Sequence, residues 1–176
     1  MIRTVLGLAL GLAAVAAPAL AADVATINCV SNKISPELRG QVAADYDVRL
    51  REPGRAMDIV LDDKLIAFGR ECKALHGWSE TAMNAAVAWT RSTIALPTTE
   101  AFSRAKGIDV DTIKQVWLAT PEGTRSRQLV DADLQILGKT LQEKGVFKNP
   151  GDPTIVGRLI AYMNTNIFTR LDFIRG

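Results

Sequence analysis

The stretch Leu61-Asp62-Asp63-Lys64-Leu65-Ile66-Ala67-Phe68-Gly69-Arg70-Glu71-Cys72-Lys73-Ala74-Leu75-His76-Gly77 decides the fold class. Its apolar residues Leu61, Leu65, Phe68, Cys72 and Leu75 recur at steps of four, three, four and three, so they share one face of an α-helix. Cys72 therefore lies on the inward stripe, and Gly77 supplies a left-handed stop.

Working outward, helix signals recur and strand signals do not. Upstream, Ser35 is a cap, Pro36 fits the first helical position and Glu37 complements the dipole. That helix runs to about Glu52, where Pro53-Gly54 stops it. Downstream, Ser79-Glu80 opens a helix with Met83, Val87, Thr90 and Ile94 on one face, ended by Pro97. A short helix from about Thr99 to Lys106 closes at Gly107.

Asp109 or Asp111 then opens a segment with Ile113, Val116, Trp117 and Thr120, and Pro121 either starts a separate helix or kinks this one. From about Glu122 to Lys144 the stripe is Val130, Leu134, Leu137 and Leu141, with Gly145 as its stop. Two glycines and two prolines make residues 145–153 an exposed loop. A last helix, roughly Pro153 to Leu171, is apolar over more than one face, which predicts a central core helix; docking on a partner or membrane surface is the competing reading. Its uncharged run between Arg158 and Arg170 is too short to cross a bilayer. The prediction is all-α: one compact bundle of about six helices.

The N-terminus gives a destination. Arg3 is the only charge before Asp23, Val5 to Ala17 form an apolar core, and Pro18 precedes the small residues Ala19 and Ala21. Positive n-region, h-region and cleavage site stand in the order of a secretory signal, so residues 1–21 are read as a signal peptide and 22–176 as one domain. The competing reading is an uncleaved anchor, because the uncharged run approaches the ~20 residues a spanning helix needs. Ile27-Asn28 before Cys29 is not a lipoprotein context, and no N-glycosylation sequon occurs. The expected compartment is the periplasm if the source is bacterial, otherwise the secretory route.

The signal carries one of the 21 basic residues and none of the 19 acidic ones, leaving a formal charge of +1 on the mature domain. Basic residues are scattered among acids rather than gathered in a stripe, which argues against nucleic acid as a partner. Cys29 and Cys72 are the two cysteines, and in an oxidising compartment an even pair reads as a disulfide tying the N-terminal segment to the second helix. That segment, Ala22 to Lys33, reads as otherwise extended.

The chemical inventory is thin. His76 is the single histidine, and its place at a helix end suits capping better than catalysis. Of the paired acids, Asp62/Asp63 and Asp131/Asp133 diverge around a helix, Asp58/Asp62 share a face, and Asp109-Val110-Asp111 lacks the later ligands of a calcium loop and reads as capping. No phosphate cradle, nucleophile elbow, haem site or zinc-protease motif is present, so neither cofactor nor metal is expected. Trp78, Trp89 and Trp117 read as packing residues.

The segment 120–127 gathers hydroxyls and two arginines near a helix start. Arg125 and Arg127, with Phe147 and Asp152 of the later loop, are the candidate ligand or partner contacts. The expected function is non-catalytic: an exported binding or interaction protein such as a chaperone, inhibitor, immunity protein or accessory subunit, with an envelope protein as partner. The alternative is a small carboxylate-based hydrolase of cell-wall polymer, which needs no histidine. Two acids from different helices in one cleft beside an aromatic would mark the enzyme; an exposed apolar face without such a pair would mark the binder.

Overall fold

A computed structural model describes residues 22–176; the predicted signal, residues 1–21, lies outside the described residues. Among those described, a one-turn 3-10 helix at Val24–Thr26 is followed by eight α-helices and no strand. These are α1 (Cys29–Lys33), α2 (Pro36–Arg51), α3 (Ile59–His76), α4 (Glu80–Ala105), α5 (Val110–Ala119), α6 (Glu122–Arg125), α7 (Asp131–Glu143) and α8 (Asp152–Arg175).

The capping residues read from sequence act as such. Ser35 Oγ accepts from Leu38 N and Ser79 Oγ from Ala82 N, at 3.1 and 3.0 Å, while Asp109 accepts from Thr112 N at 3.0 Å. Gly77 takes φ 66°, the left-handed conformation that ends α3 at little steric cost.

α4 and α8 lie along each other as the spine, and two apolar cores form on it. The first is built by α1, α2, α3 and the first half of α4 around Val30, Val42, Leu65, Cys72 and Ala86, and it takes in Phe173 from the end of α8. The second is built by α5, α7 and the first half of α8, around Ile113, Trp117, Leu141, Val156 and Leu159. α8 is thus a core helix serving both, and of its large apolar residues only Ile174 is exposed.

Four expectations are corrected. First, Pro97 does not end a helix: α4 continues through it to Ala105, absorbing the separate helix expected at 99–106. Proline removes one backbone hydrogen bond, but Ala95, Thr99, Phe102 and Ser103 are buried on both sides of it. The hydroxyls of Thr98 and Thr99 bond the carbonyls of Ile94 and Ala95, at 3.1 and 2.8 Å, but the carbonyl left without its amide partner by Pro97 is that of Thr93, so it is burial against the bundle that carries the chain across.

Second, the expected helix from Glu122 to Lys144 is broken into α6 and α7. Buried Asn164 of α8 donates to the carbonyls of Arg125 and Arg127, at 3.1 and 2.8 Å, and accepts from Leu129 N at 3.3 Å. The intervening backbone is thereby satisfied by α8 instead of by its own helix.

Third, most of residues 22–33 is helical rather than extended: the 3-10 turn Val24–Thr26 and α1 are joined by a turn at Ile27 and Asn28. Asp23 caps the first turn through Ala25 N at 2.9 Å, and Trp78 Nε1 donates to Thr26 Oγ1 at 3.0 Å, fixing that turn to the body. Fourth, the extra one-turn helices α1 and α6 raise the count to eight among the described residues. The Cys29–Cys72 disulfide is formed, with Cα atoms 6.0 Å apart, and joins α1 to α3. Lys33 Nζ, 2.8 Å from Glu71, adds an ion pair beside it.

α3 and α4 approach closely at Gly69, where an added Cβ would lie 2.5 Å from Val87 Cγ2 and 3.3 Å from Met83 Cγ. Val87 is branched at Cβ and cannot swing away cheaply. Gly69→Val is expected to destabilise the fold by about 2–3 kcal/mol. Gly138→Ala, on a helix with nothing within 4 Å, is expected to stabilise it by about 0.5–1 kcal/mol. Urea titration of the two variants measures the contrast.

Candidate functional site

Asp109 opens α5 so that Ile113, Val116 and Trp117 face inward. The stripe on α7 behaves differently along its length: Leu137 and Leu141 are buried, whereas Val130 and Leu134 are exposed. Asn164 holds the 125–129 linker on α8, and between α5, the α6 turn and α7 a cleft of about 570 Å3 remains open. Its apolar lining comes chiefly from Val116, Ala119, Pro121, Ile136 and Leu137. Ile136 stands on its lip with 67% of its surface exposed. Gln115, Thr124, Thr140 and Lys144 supply polar groups. The volume falls in the range of small-ligand and side-chain pockets.

Asp133 is the acid in that lining, and it is already engaged. Arg127 grips it through two hydrogen bonds, of 2.7 and 2.9 Å. The guanidinium, followed by the Val130 N–H, holds its carboxyl below the usual range. It closes the start of α7 rather than offering a base.

The four candidate contact residues are not brought into one site. Arg127 is paired with Asp133, and Arg125 Nε donates to the Thr120 carbonyl at 2.9 Å. Phe147 packs on the second core. Asp152 is buried at the start of α8 and accepts from the N–H groups of Lys148 and Asn149, both at 2.8 Å. Burial opposes its ionisation, but those hydrogen bonds outweigh it and leave the carboxyl below its ordinary range. Asn164 and Asp152 are twelve residues apart on α8, about 18 Å along its axis. Both groups of residues therefore order their own loops.

The acid pairs also separate. Asp58 caps α3 through Val60 N, Asp62 pairs with Arg91 of α4, Asp47 with Arg51, and Asp111 with Arg104. Among the described residues no three His, Cys, Asp or Glu side chains come together as metal ligands. His76 ends α3 and stacks on Trp78, ring centres 5.4 Å apart.

The chain matches no protein-family model, no curated protein and no solved structure.

One polar cluster had no signal in the sequence. Asp45, Tyr46 and Arg49 of α2 meet Asp62 of α3, Arg91 of α4 and Tyr162 of α8. The Tyr46 and Tyr162 rings meet edge to face at 5.6 Å, and burial, then the neighbouring Tyr162, pushes the Tyr46 hydroxyl up to about 12. Asp45 Oδ2 lies 4.0 Å from Arg49 and has no hydrogen bond. Asp45 and Asp62 thus come from different helices near a tyrosine, but each faces a guanidinium and neither lines the α5–α7 cleft.

Among the described residues, no helix is long and apolar enough to cross a membrane.

Proposed function

We propose that this is an exported, non-catalytic binding protein whose α5–α7 cleft seats an apolar segment of a protein partner. The observation that carries the reading is Ile136, exposed on the lip of an apolar cleft. An apolar cleft whose lip stays uncovered suits a partner surface better than a small molecule contained within it. Export is supported by the disulfide, which persists in oxidising compartments, together with the predicted signal. The cell-wall hydrolase reading has less support, because Asp45 and Asp62 are each matched by an arginine outside the α5–α7 cleft.

The test is retention of envelope proteins on the oxidised domain, compared between the wild type and Ile136→Asp. A charge placed at the lip must be desolvated when the partner docks, so the variant is expected to bind more than tenfold more weakly while folding normally. A stoichiometric protein partner lost in Ile136→Asp supports the proposal. Retention of cell-wall polymer alone, or of a partner indifferent to the substitution, refutes it.

A further inference from the structure

The end of α2, the last turns of α4 and the first turns of α8 enclose another cleft, of about 400 Å3, which shares no lining residue with the α5–α7 cleft. Its wall carries three cations, Arg51, Lys106 and Arg158, over apolar Leu50, Phe102 and Ile155, and no acidic side chain lines it. Arg51 is compensated by Asp47, with hydrogen bonds of 2.8 and 3.1 Å. The other two are not. Lys106 has no ion-pair partner among the described residues; its ammonium lies 5.7 Å from the centre of the Phe102 ring. Arg158 has none either, and donates one Nη1 bond to the Arg49 carbonyl. The nearest acid on α8, Asp152, is committed to the N–H groups of Lys148 and Asn149.

Two uncompensated positive charges around an apolar-floored hollow repel each other, and the low-dielectric wall strengthens both that repulsion and the attraction of an anion. We infer that this cleft binds a phosphomonoester. Such a group carries about −1.5 to −2 charges at neutral pH and three acceptor oxygens. That charge matches the two uncompensated cations, and the oxygens can accept from Lys106 and from the free edge of the Arg158 guanidinium, which line the same cleft. Leu50, Phe102 and Ile155 then accommodate the organic portion. The same chemistry is offered by a free phosphomonoester and by a phosphomonoester lipid headgroup. This site is independent of the α5–α7 cleft, and its failure would leave that reading untouched.

The oxidised protein is titrated calorimetrically with phenyl phosphate, and in parallel tested for flotation with phosphatidylcholine vesicles with and without phosphatidic acid. Lys106→Ala and Arg158→Gln are each expected to weaken binding about tenfold, the effect of losing one charge-assisted hydrogen bond. Lys139→Ala, an exposed lysine on α7, is expected to bind as the wild type does. Saturable binding of phenyl phosphate with this pattern identifies a free ester as the source. Flotation that requires phosphatidic acid, with the same pattern and no soluble binding, identifies the headgroup. Binding of neither, or binding unchanged in Lys106→Ala, overturns the inference; Lys106 is exposed, so its replacement keeps the fold.

Discussion

Phe173→Ala is expected to lower the stability of the domain by about 3–5 kcal/mol, a large share of the 5–15 kcal/mol typical of a folded domain. Phe173 is completely buried although it lies three residues from the C-terminus. Its ring meets Trp78 edge-on at 4.9 Å and 86°, and Trp78 in turn donates to Thr26. One side chain thus joins the end of α8 to the α3–α4 corner and to the N-terminal turn. Truncation leaves a cavity that the stiff neighbouring indole cannot fill, and it frees the last turn of α8 to fray. Urea unfolding measures the loss, and near-ultraviolet circular dichroism of the tryptophans reports the altered packing. Ile174→Ala, at the exposed neighbouring position, is expected to change stability by less than about 0.5 kcal/mol. A loss below about 1 kcal/mol at Phe173 would contradict the role assigned to it.

Removal of the disulfide, by Cys29→Ser with Cys72→Ser, is expected to cost about 4 kcal/mol, from the entropy of a 43-residue loop released in the unfolded state. For a domain of this size that is a fall in Tm of roughly 10 °C. The five residues of α1 are too few to hold a helix alone. Loss of the tether is therefore expected to expose α1 first, seen as faster amide exchange at Val30 and Ser31 than in α3. Thermal unfolding of the variant against the oxidised protein checks the magnitude. An unchanged Tm would mean that Val30, Ile34 and the Trp78–Thr26 bond already hold the segment.

Much of the helical skeleton was legible because local chemistry alone specifies it. Ser35, Ser79 and Asp109 satisfy the free N–H groups of a first turn, and Gly77 adopts a backbone conformation other residues resist. The candidate site was less legible. Thr120, Leu137 and Lys144 could be placed on helical faces, but not the break between α6 and α7, whose linker Asn164 of α8 holds. An asparagine in the middle of an apolar helix carries no mark of its partners 35 to 39 positions away. Arg127 and Asp152 illustrate the converse: charged residues near helix starts, read as ligand contacts, are occupied by their own loops.

By itself the sequence determined the all-helical class, the caps of α2, α3, α4 and α5, and the only available cysteine pairing. Each depends on residues within about one helical turn or on there being no other partner. Only the tertiary structure decided that α4 runs through Pro97, that the stretch from Glu122 divides into α6 and α7, and that the free cations Lys106 and Arg158 share a cleft. In the first two cases the deciding contacts come from α8 or across the bundle. Burial and hydrogen bonds from distant segments there outweigh local propensities worth about 1–3 kcal/mol.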